Sequence, residues 1–359
     1  RPEINREFKG QILPNNGAEI YMRDDIALAP VKIYVWQDIT GQGDDAYGKV
    51  VVKREYADGE TIEVNPGENL VVDFGQNAAA VPDFLFRAKK GTKLHCITSE
   101  LLNDGNGLKG RGMDGPEGSV HRLNLRIPDT GMMLDYTFAG DGKQESYRPK
   151  NTFFGYRFVS ITVTEPVTIS RIRSVPVTSI AKEMETGRIS TGNELVNRLI
   201  SNTYWGQLSN YLSVPTDCPQ RDERLGWTGD AQVFCTTAGY HMDTRAFYHK
   251  FLRDLRSDQK RNHGGAAIYL PNAFPGLTAG IWSDVAAFMP EMLYDYYGSK
   301  EELAANYPLM KDWVDYVYRQ DCSRGKKNLY DFGFQFGDWL ALDGATEQST
   351  FGRTDNGYV

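Results

Sequence analysis

The hydrophobic pattern changes its period near residue 185, and this change constrains the fold more than any other feature of the 359-residue chain. Before it, apolar residues alternate with polar ones in short runs that Gly, Asn, Asp and Pro separate. After it, apolar residues recur at the three- and four-residue spacing of helices. The pattern therefore predicts a multidomain β plus α fold, with N-terminal β-sandwich domains followed by helices.

The alternating runs define the expected β region. Turn signals such as Asp58-Gly59 and Asp104-Gly105 bound them. We predict that residues 1–63 form the end of an N-terminal β domain and that residues 64–182 form one sandwich. The segment around 101–125 is rich in Gly and Asp and is predicted to be a long loop. The main predicted strands are Val31–Trp36, Gly48–Val52, Asn69–Phe74, Phe84–Ala88, Lys93–Ile97 and Arg157–Val163.

The second half of the chain predicts about five helices. Thr191-Gly192-Asn193-Glu194 is a capping-box signature and indicates where the first helix starts. Pro290 and Pro308 lie inside the last two predicted helices and are expected to kink or split them. Successive helices joined by loops favour an α/α toroid or bundle, but a closed helical barrel needs more helices than five. The predicted helices start near Glu194, Thr228, Thr244, Ser283 and Lys300.

Composition narrows the class of partner. The net charge of −7 and pI of about 5.4 disfavour nucleic acid, which requires a basic face. Most of the 6 Trp, 20 Tyr and 17 Phe residues belong in cores, but a surplus suits stacking on the apolar faces of sugars. No run reaches the roughly 18 apolar residues of a membrane helix. The start, Arg1-Pro2-Glu3, has neither an initiator Met nor an apolar signal core, so we expect a processed or trimmed N-terminus and infer no compartment.

The cysteines and histidines do not predict a metal site. No two cysteines have C-x-x-C spacing, and no histidine accompanies them in a zinc pattern. We predict free thiols, with one incidental disulfide as the less favoured alternative. The histidines that follow residue 185 are not at metal-binding spacing and are predicted to be structural or exposed. The residues in question are Cys96, Cys218, Cys235, Cys322, His241, His249 and His263.

The segment that indicates chemistry is 217–230, which reads Asp-Cys-Pro-Gln-Arg-Asp-Glu-Arg-Leu-Gly-Trp-Thr-Gly-Asp. Four carboxylates this close repel one another unless they are paired or desolvated, and its two arginines can pair with two of them. A carboxyl left beside Trp227 or other acids has a raised pKa, which a general acid requires. Pro and Gly residues constrain the segment as a loop between two helices. The alternative is an ion-paired, solvated loop without chemistry.

This fourteen-residue segment resembles the signature loop of bacterial α-L-rhamnosidases, glycoside hydrolase family 78. Further segments are similar to the same family and occur in its order. The resemblance implies a concanavalin-like sandwich over 64–182, followed over 183–359 by the first half of a six-hairpin catalytic domain, which is part of an (α/α)6 helical barrel. The supporting segments are Asp73–Asn77, Lys89–Thr92, Tyr147–Pro149, Phe154–Arg157, Ile281–Asp284 and Phe336–Ala341.

The resemblance also implies roles for matching residues. Glu223 is implied to be the general acid that protonates the leaving glycosidic oxygen. Asp217 and Asp230 are implied to hydrogen-bond rhamnose hydroxyls, while Arg221 orients or tunes the acids. For Trp282 and Trp339, the alternative to a pocket role is a structural role in the protein core. The remaining implied substrate-binding residues are Asp222, Trp227, Trp282, Asp338 and Trp339.

The family inverts configuration, which requires a second carboxylate roughly 6.5–9.5 Å from the acid to activate water. The resemblance implies that this base is a Glu far downstream, and the sequence has no matching position. The chain is therefore expected to be a fragment, to be completed by another chain, or to be a degenerate relative. Asp284, Glu291 and Asp338 are carboxylates within the chain that could act instead, and we predict that none of them is the base.

The sequence thus predicts an inverting α-L-rhamnosidase that releases terminal α-L-rhamnose from rhamnosyl glycosides or rhamnose-containing polysaccharide without a cofactor. One alternative is a non-catalytic rhamnose-binding protein that retains half a pocket, and another is a glycosidase of similar fold for a different sugar. Structural Ca²⁺ on the acidic turns Asp24-Asp25 and Asp44-Asp45 is not indicated. Half a barrel exposes apolar helix faces, so we expect the chain alone to dimerise, aggregate or be completed by another segment.

Overall fold

The computed structural model describes Pro14, residues 17–105, 107–109, 112–122, 132–140, 142–221, 223–273, 275–337 and Trp339. Two of the candidate site residues, Asp222 and Asp338, lie outside the described residues.

Within the part of the chain that the structure describes, ten strands form one antiparallel network, which we call the β domain. The alternating runs of the sequence all lie in it, so the predicted β half is confirmed. The network follows the order β1-β10-β5-β9-β6-β7, and β2, β3, β4 and β8 attach beside this path. The strands are β1 Tyr21–Met22, β2 Lys32–Thr40, β3 Lys49–Tyr56, β4 Ile62–Val64, β5 Asn69–Arg87, β6 Lys93–Ser99, β7 Met133–Thr137, β8 Glu145–Tyr147, β9 Phe154–Val163 and β10 Val167–Thr178.

Strand β5 differs from the prediction. The runs Asn69–Phe74 and Phe84–Ala88, expected as two strands, belong to one 19-residue strand. Gly75 adopts a φ of +73°, and the register with β9 shifts between Asp73 and Ala78. The chain therefore bends at the glycine without reversing, because the Asp73 carboxylate accepts the Gly75 N–H at 2.7 Å and strand pairing resumes beyond it.

The bend lets β5 serve two groups of strands. The residues before the bend pair with β2 and β9, and the residues after it pair with β9, β10 and β8. Side chains from both halves, such as Leu70 and Phe84, meet in one buried core. Ile33 of β2 and Ile62 of β4 lie in the same core. The domain boundary placed at residue 63 stays a prediction, and strands on either side of it share hydrogen bonds and packing.

Five helices follow within the described residues, as predicted, and form the helical domain. Their apolar faces enclose a second core that includes Phe251, Met289 and Trp313. Short strand pairs join β11 to β12 and β13 to β14. The elements are α1 Glu194–Asn210, β11 Tyr211–Leu212, β12 Val214–Pro215, β13 Gly226–Trp227, α2 Thr228–His241, α3 Arg245–Arg261, β14 Tyr269–Leu270, α4 Val285–Tyr297 and α5 Lys300–Ser323.

The structure differs from two local expectations about the helices: the residue that caps α1, and the splitting of α4 and α5 at their prolines. Asn193, not Thr191, caps α1, because it directly precedes the first helical residue and its Oδ1 accepts the N–H groups of Leu195 and Val196. Pro290 and Pro308 do not split their helices. Each proline removes one hydrogen bond, but the packing of α4 and α5 in the common core maintains both helices.

The two domains are in direct contact. Buried Ala79, Val81 and Val175 of the β domain pack against Leu212, which follows α1. The Ala79 N–H donates to Ser209 Oγ at 3.1 Å. The end of α1, and therefore the chain that follows it, is fixed against the β domain.

All four cysteines are free, which confirms the favoured prediction over the disulfide alternative. No helix within the described ranges is long and apolar enough to span a bilayer.

Candidate active site

Residues 217–230, which we call the acidic loop, connect the end of the β11–β12 pair to the first turn of α2. Near its C-terminal end, Gly226 and Trp227 pair with β14, and Thr228 then begins the helix. The hydroxyl of Thr228 donates to the carbonyl of Ala267 at 3.1 Å. These backbone constraints fix Trp227 and Asp230 at the end of the loop.

Four of the predicted residues lie together at the centre of the acidic loop. Glu223 Oε1 accepts the indole N–H of Trp227, and its Oε2 accepts Arg221 Nη2 at 2.7 Å. The same Arg221 nitrogen donates to Asp217 Oδ2 at 3.2 Å. Only 7% of the Glu223 side chain is exposed. A single guanidinium therefore bridges two carboxylates, one of which is almost fully buried.

Cys218 joins this cluster, although the sequence did not indicate a role for it. Its thiol donates to Asp217 Oδ2 at 3.0 Å, and its sulfur accepts Arg221 Nε at 3.1 Å. Burial and the hydrogen bond to Asp217 raise the pKa of the thiol to about 12, so it is neutral at physiological pH. The position in the loop is visible in the sequence, but the direction of the thiol is not.

The cluster also presents donors of the kind that bind metals. Ligand atoms of Asp217, Cys218 and Glu223 lie within 4.8 Å of one another. The guanidinium of Arg221 hydrogen-bonds all three side chains, so a cation would have to displace its positive charge. This ion pairing favours a site for an organic ligand over a metal centre.

Asp230, in the first turn of α2, faces a cavity of about 480 Å³ that Asp217 and Phe234 also line. The Asp230 side chain is exposed at the cavity, although protein atoms crowd around its carboxyl and desolvate it in part. Burial is the largest cause of its raised pKa; a backbone hydrogen bond opposes the shift, and the charges of Asp217 and Glu223 add to it. With two carboxylates among its lining residues, this cavity is suitable for a ligand with several hydroxyl groups.

An aromatic cluster lies beside Glu223 and includes Trp227, whose indole N–H Glu223 accepts. Phe336 stacks on Trp282 with ring centroids 4.2 Å apart, and its ring also contacts Trp227 at 5.9 Å and Trp339 at 5.4 Å. Tyr269 packs against Trp227 at 5.1 Å. The sequence indicated the three tryptophans but not Tyr269. It indicated Phe336 only as the first residue of the segment Phe336–Ala341.

The close approach of Trp282 depends on Gly229. A Cβ at that position would lie 2.7 Å from the indole ring. The glycine in the acidic loop therefore allows the ring to pack directly on the start of α2.

Asp284 and Glu291, two of the carboxylates considered for the base, lie elsewhere in the helical domain. Asp284 accepts Trp313 Nε1 at 2.9 Å and the Ile281 N–H at 2.8 Å, so it connects α4 to α5. Glu291 is exposed beside a separate cavity of about 230 Å³. These contacts agree with scaffold roles, and the expectation that neither is the base stays a prediction.

The β domain supports the acidic loop from behind. The Arg224 guanidinium lies 3.8 Å from the centre of the Phe153 ring and donates to the Phe153 carbonyl at 2.7 Å. A Cβ on Gly155 of β9 would lie 2.5 Å from the backbone nitrogen of Gln220. The loop backbone therefore lies directly on the strand.

Carboxylates that lie beside aromatic side chains are typical of the glycoside hydrolase class. Two family models match the chain: the bacterial alpha-L-rhamnosidase concanavalin-like domain over residues 62–179 and the bacterial alpha-L-rhamnosidase 6 hairpin glycosidase domain over residues 184–359. The chain belongs to the bacterial α-L-rhamnosidase family, glycoside hydrolase family 78. Its fold is a concanavalin-like β domain followed by part of a six-hairpin helical domain.

Individual relatives agree with the family models. An alpha-L-rhamnosidase of Streptomyces avermitilis is 35% identical over 306 residues, which are 83% of this chain and 27% of the relative. One from Alteromonas sp. is 33% identical over 76% of this chain and 28% of its own length. The chain thus spans between a quarter and a third of these relatives.

Solved structures show the same fold. The S. avermitilis alpha-L-rhamnosidase complexed with L-rhamnose matches with a TM-score of 0.69 and 28% identity, over 92% of this chain and 27% of that one. The native enzyme of Aspergillus terreus matches with a TM-score of 0.67 and 29% identity, over 81% of this chain and 33% of that one.

Proposed function

We propose that this chain supplies the proton donor and much of the sugar-binding site of an inverting α-L-rhamnosidase. The observation that carries the proposal is the environment of Glu223: its buried carboxyl accepts hydrogen bonds from Trp227 and Arg221 and lies beside Asp217. A carboxyl that is desolvated and fixed in this way is suited to deliver a proton in a defined direction.

In the proposed reaction, Glu223 protonates the glycosidic oxygen while the bond between that oxygen and the anomeric carbon breaks. The electron pair of the bond remains on the leaving oxygen, and Glu223 becomes a carboxylate. Arg221 and Trp227 then stabilise this carboxylate through the hydrogen bonds that they already donate. Water activated by a second carboxylate attacks the opposite face of the sugar. We place that base outside residues 1–359.

The sugar would lie between the acids and the aromatic cluster. Asp217 and Asp230 would accept hydrogen bonds from rhamnose hydroxyls across the cavity that they share. The C6 methyl of rhamnose is apolar and would pack against the rings of Trp227 and Trp282, which the cluster around Phe336 fixes in place. The expected substrate is thus a terminal α-L-rhamnosyl group.

Replacing Glu223 with Gln in the complete protein tests the proposal. The amide keeps the shape but cannot donate the required proton, so we expect kcat on an alkyl rhamnoside to fall by about 10²–10⁴-fold. Glu194→Gln, an exposed change of the same kind on α1, is the control and should leave kcat unchanged. A Glu223→Gln variant with wild-type kcat on this substrate would exclude Glu223 as the acid. Rhamnose binding by the wild-type protein without any hydrolysis would instead support the non-catalytic alternative.

A further inference from the structure

Arg224 directly follows the proposed acid and has an unusual backbone conformation. Its φ of +56° lies in the left-handed region, which favours glycine and strains a residue that carries a side chain. Surrounding contacts must hold a residue in this region, and such residues cluster at functional sites. The strained turn lies between Arg221 and Trp227, which both hydrogen-bond Glu223. The direction of the Glu223 side chain therefore depends on the contacts that hold Arg224.

The side chain of Arg224 makes contacts that hold this turn. It reaches the β domain, where its guanidinium lies 3.8 Å from the centre of the Phe153 ring. Its Nη2 donates to the Phe153 carbonyl at 2.7 Å and lies 3.8 Å from Met132 Sδ. Phe153 directly precedes β9 and packs against the core between the two domains, while Met132 is buried in the core of the β domain. The turn is thus anchored to two residues of a packed domain.

The place of this anchor in the acidic loop connects it to the acid. On one side of Glu223, the backbone at Gln220 lies against Gly155 of β9. On the other side, Trp227 pairs with β14. Arg224 is a third support, between these two fixed points and next to the acid. Without its contacts, the backbone would relax out of the left-handed region while both ends of the loop stayed in place. The resulting displacement would fall mainly on Glu223.

We infer that Arg224 is a positioning residue for proton transfer, because its anchor on Phe153 directs the Glu223 carboxyl towards the glycosidic oxygen. The inference rests on the proposed function, in which Glu223 is the acid. Arg224 itself neither gives the proton nor binds the sugar. Its planar guanidinium stacks on the ring and donates to the carbonyl at the same time, a combination that the ammonium group of lysine does not reproduce. Loss of the anchor should therefore slow the reactions that need the proton.

Two substrates that differ in the leaving group test this inference in the complete protein. An alkyl rhamnoside requires protonation of the leaving oxygen, whereas a dinitrophenyl rhamnoside releases a phenolate that is stable without it. Arg224→Met should lower kcat on the alkyl rhamnoside about 10²-fold, because displacement by about 1 Å has a cost of this size. It should change kcat on the dinitrophenyl rhamnoside by less than about threefold and leave the Kd of rhamnose unchanged. Arg87→Met, at the exposed end of β5, is the control and should alter none of these values.

Phe153→Leu provides a second arm, which does not depend on the folding of Arg224→Met. It removes the ring and keeps the carbonyl, so it should cause the same selective loss to a smaller degree. Combined with Arg224→Met it should add no further loss, because both changes act on one contact.

Equal losses of kcat on the two substrates, or no loss on either, in these variants would overturn the inference. Glu223→Gln distinguishes that result from a failure of the proposed function. A selective loss in Glu223→Gln on the alkyl rhamnoside would keep Glu223 as the acid and remove only the role of Arg224. Equal losses on both substrates in Glu223→Gln would overturn the proposed function and this inference with it.

Discussion

Asp230 is proposed to accept a hydrogen bond from a sugar hydroxyl, but its surroundings disfavour a charged carboxylate. Its carboxyl lies among protein atoms and near Asp217 and Glu223, and these surroundings raise its pKa above the ordinary value of 3.8. In the unfolded chain the same group ionises normally. The folded state therefore favours the protonated form. Its contribution to stability is fully present below pH 3.8 and is lost as the pH rises through the folded pKa.

Asp230→Asn should therefore stabilise the protein at neutral pH, because the amide keeps the shape and removes the disfavoured charge. The rise in Tm relative to wild type should be larger at pH 7 than at pH 3.5, where Asp230 is mostly protonated in both states. Rhamnose affinity should fall, since one strong acceptor is lost. Thermal melts at the two pH values measure the first effect, and a Tm difference that does not depend on pH would contradict the assignment.

The sequence could indicate that residues of the acidic loop lie together, because they are close in the chain. Asp217, Arg221, Glu223 and Trp227 lie within eleven positions, so a constrained loop brings them together almost regardless of the rest of the fold. Phe336 lies more than a hundred residues further on, and only the packing of the helical domain places it on Trp282. Side-chain direction, as for the Cys218 thiol, also depends on tertiary contacts that the spacing of residues does not contain.

Strand β9 is the element that connects the β domain to the proposed chemistry. Gly155 pairs with Ala79 of β5 in the interior of the sheet, so its backbone cannot readily move. The acidic loop contacts this strand through the backbone at Pro219 and Gln220. Any side chain at position 155 must therefore displace the loop rather than the strand.

Gly155→Ala should reduce activity of the complete protein more than it affects the β domain. A Cβ would stand 2.5 Å from Gln220 N, and displacement of the loop by about 1 Å can cost about 10²-fold in kcat. The overpacking should also cost about 1–3 kcal/mol of stability. Gly192→Ala is the matched control, because a Cβ there meets nothing within 4 Å. If both variants showed the same kcat in a rhamnoside assay, β9 would have no part in positioning the acid.

Element types followed from the sequence more reliably than element ends. Apolar periodicity distinguished the β half from the helical half because the two periods reflect which side chains face a core. It did not distinguish a bend from a turn at Gly75, since both use the same residues and differ only in the partners of the flanking strand. It also did not show that the helices continue through their prolines, because the packing of α4 against α5 is a tertiary contribution.

At the scale of the whole molecule, the helical domain leaves large apolar side chains uncovered. Leu195 and Leu199 of α1 are 82% and 65% exposed, although they follow the apolar spacing of a packed face. Val233 of α2 and Phe288 of α4 are 74% and 52% exposed. The opposite faces of these helices are buried in the common core. Amphipathic helices with a second apolar face typically pack against further structure on that face.

A protein consisting of residues 1–359 alone should therefore associate in solution. Multi-angle light scattering should give a mass above the 40.4 kDa of one chain, and the mass should increase with concentration. The double substitution Leu195→Lys and Leu199→Lys should shift the mass towards the monomer with little change in Tm, because neither side chain is buried within the chain. Leu101→Lys, a single exposed position in the β domain, is the control and should not alter association. A constant mass of 40.4 kDa across concentrations would show that these faces need no partner, and the exposed leucines would then have to be explained without one.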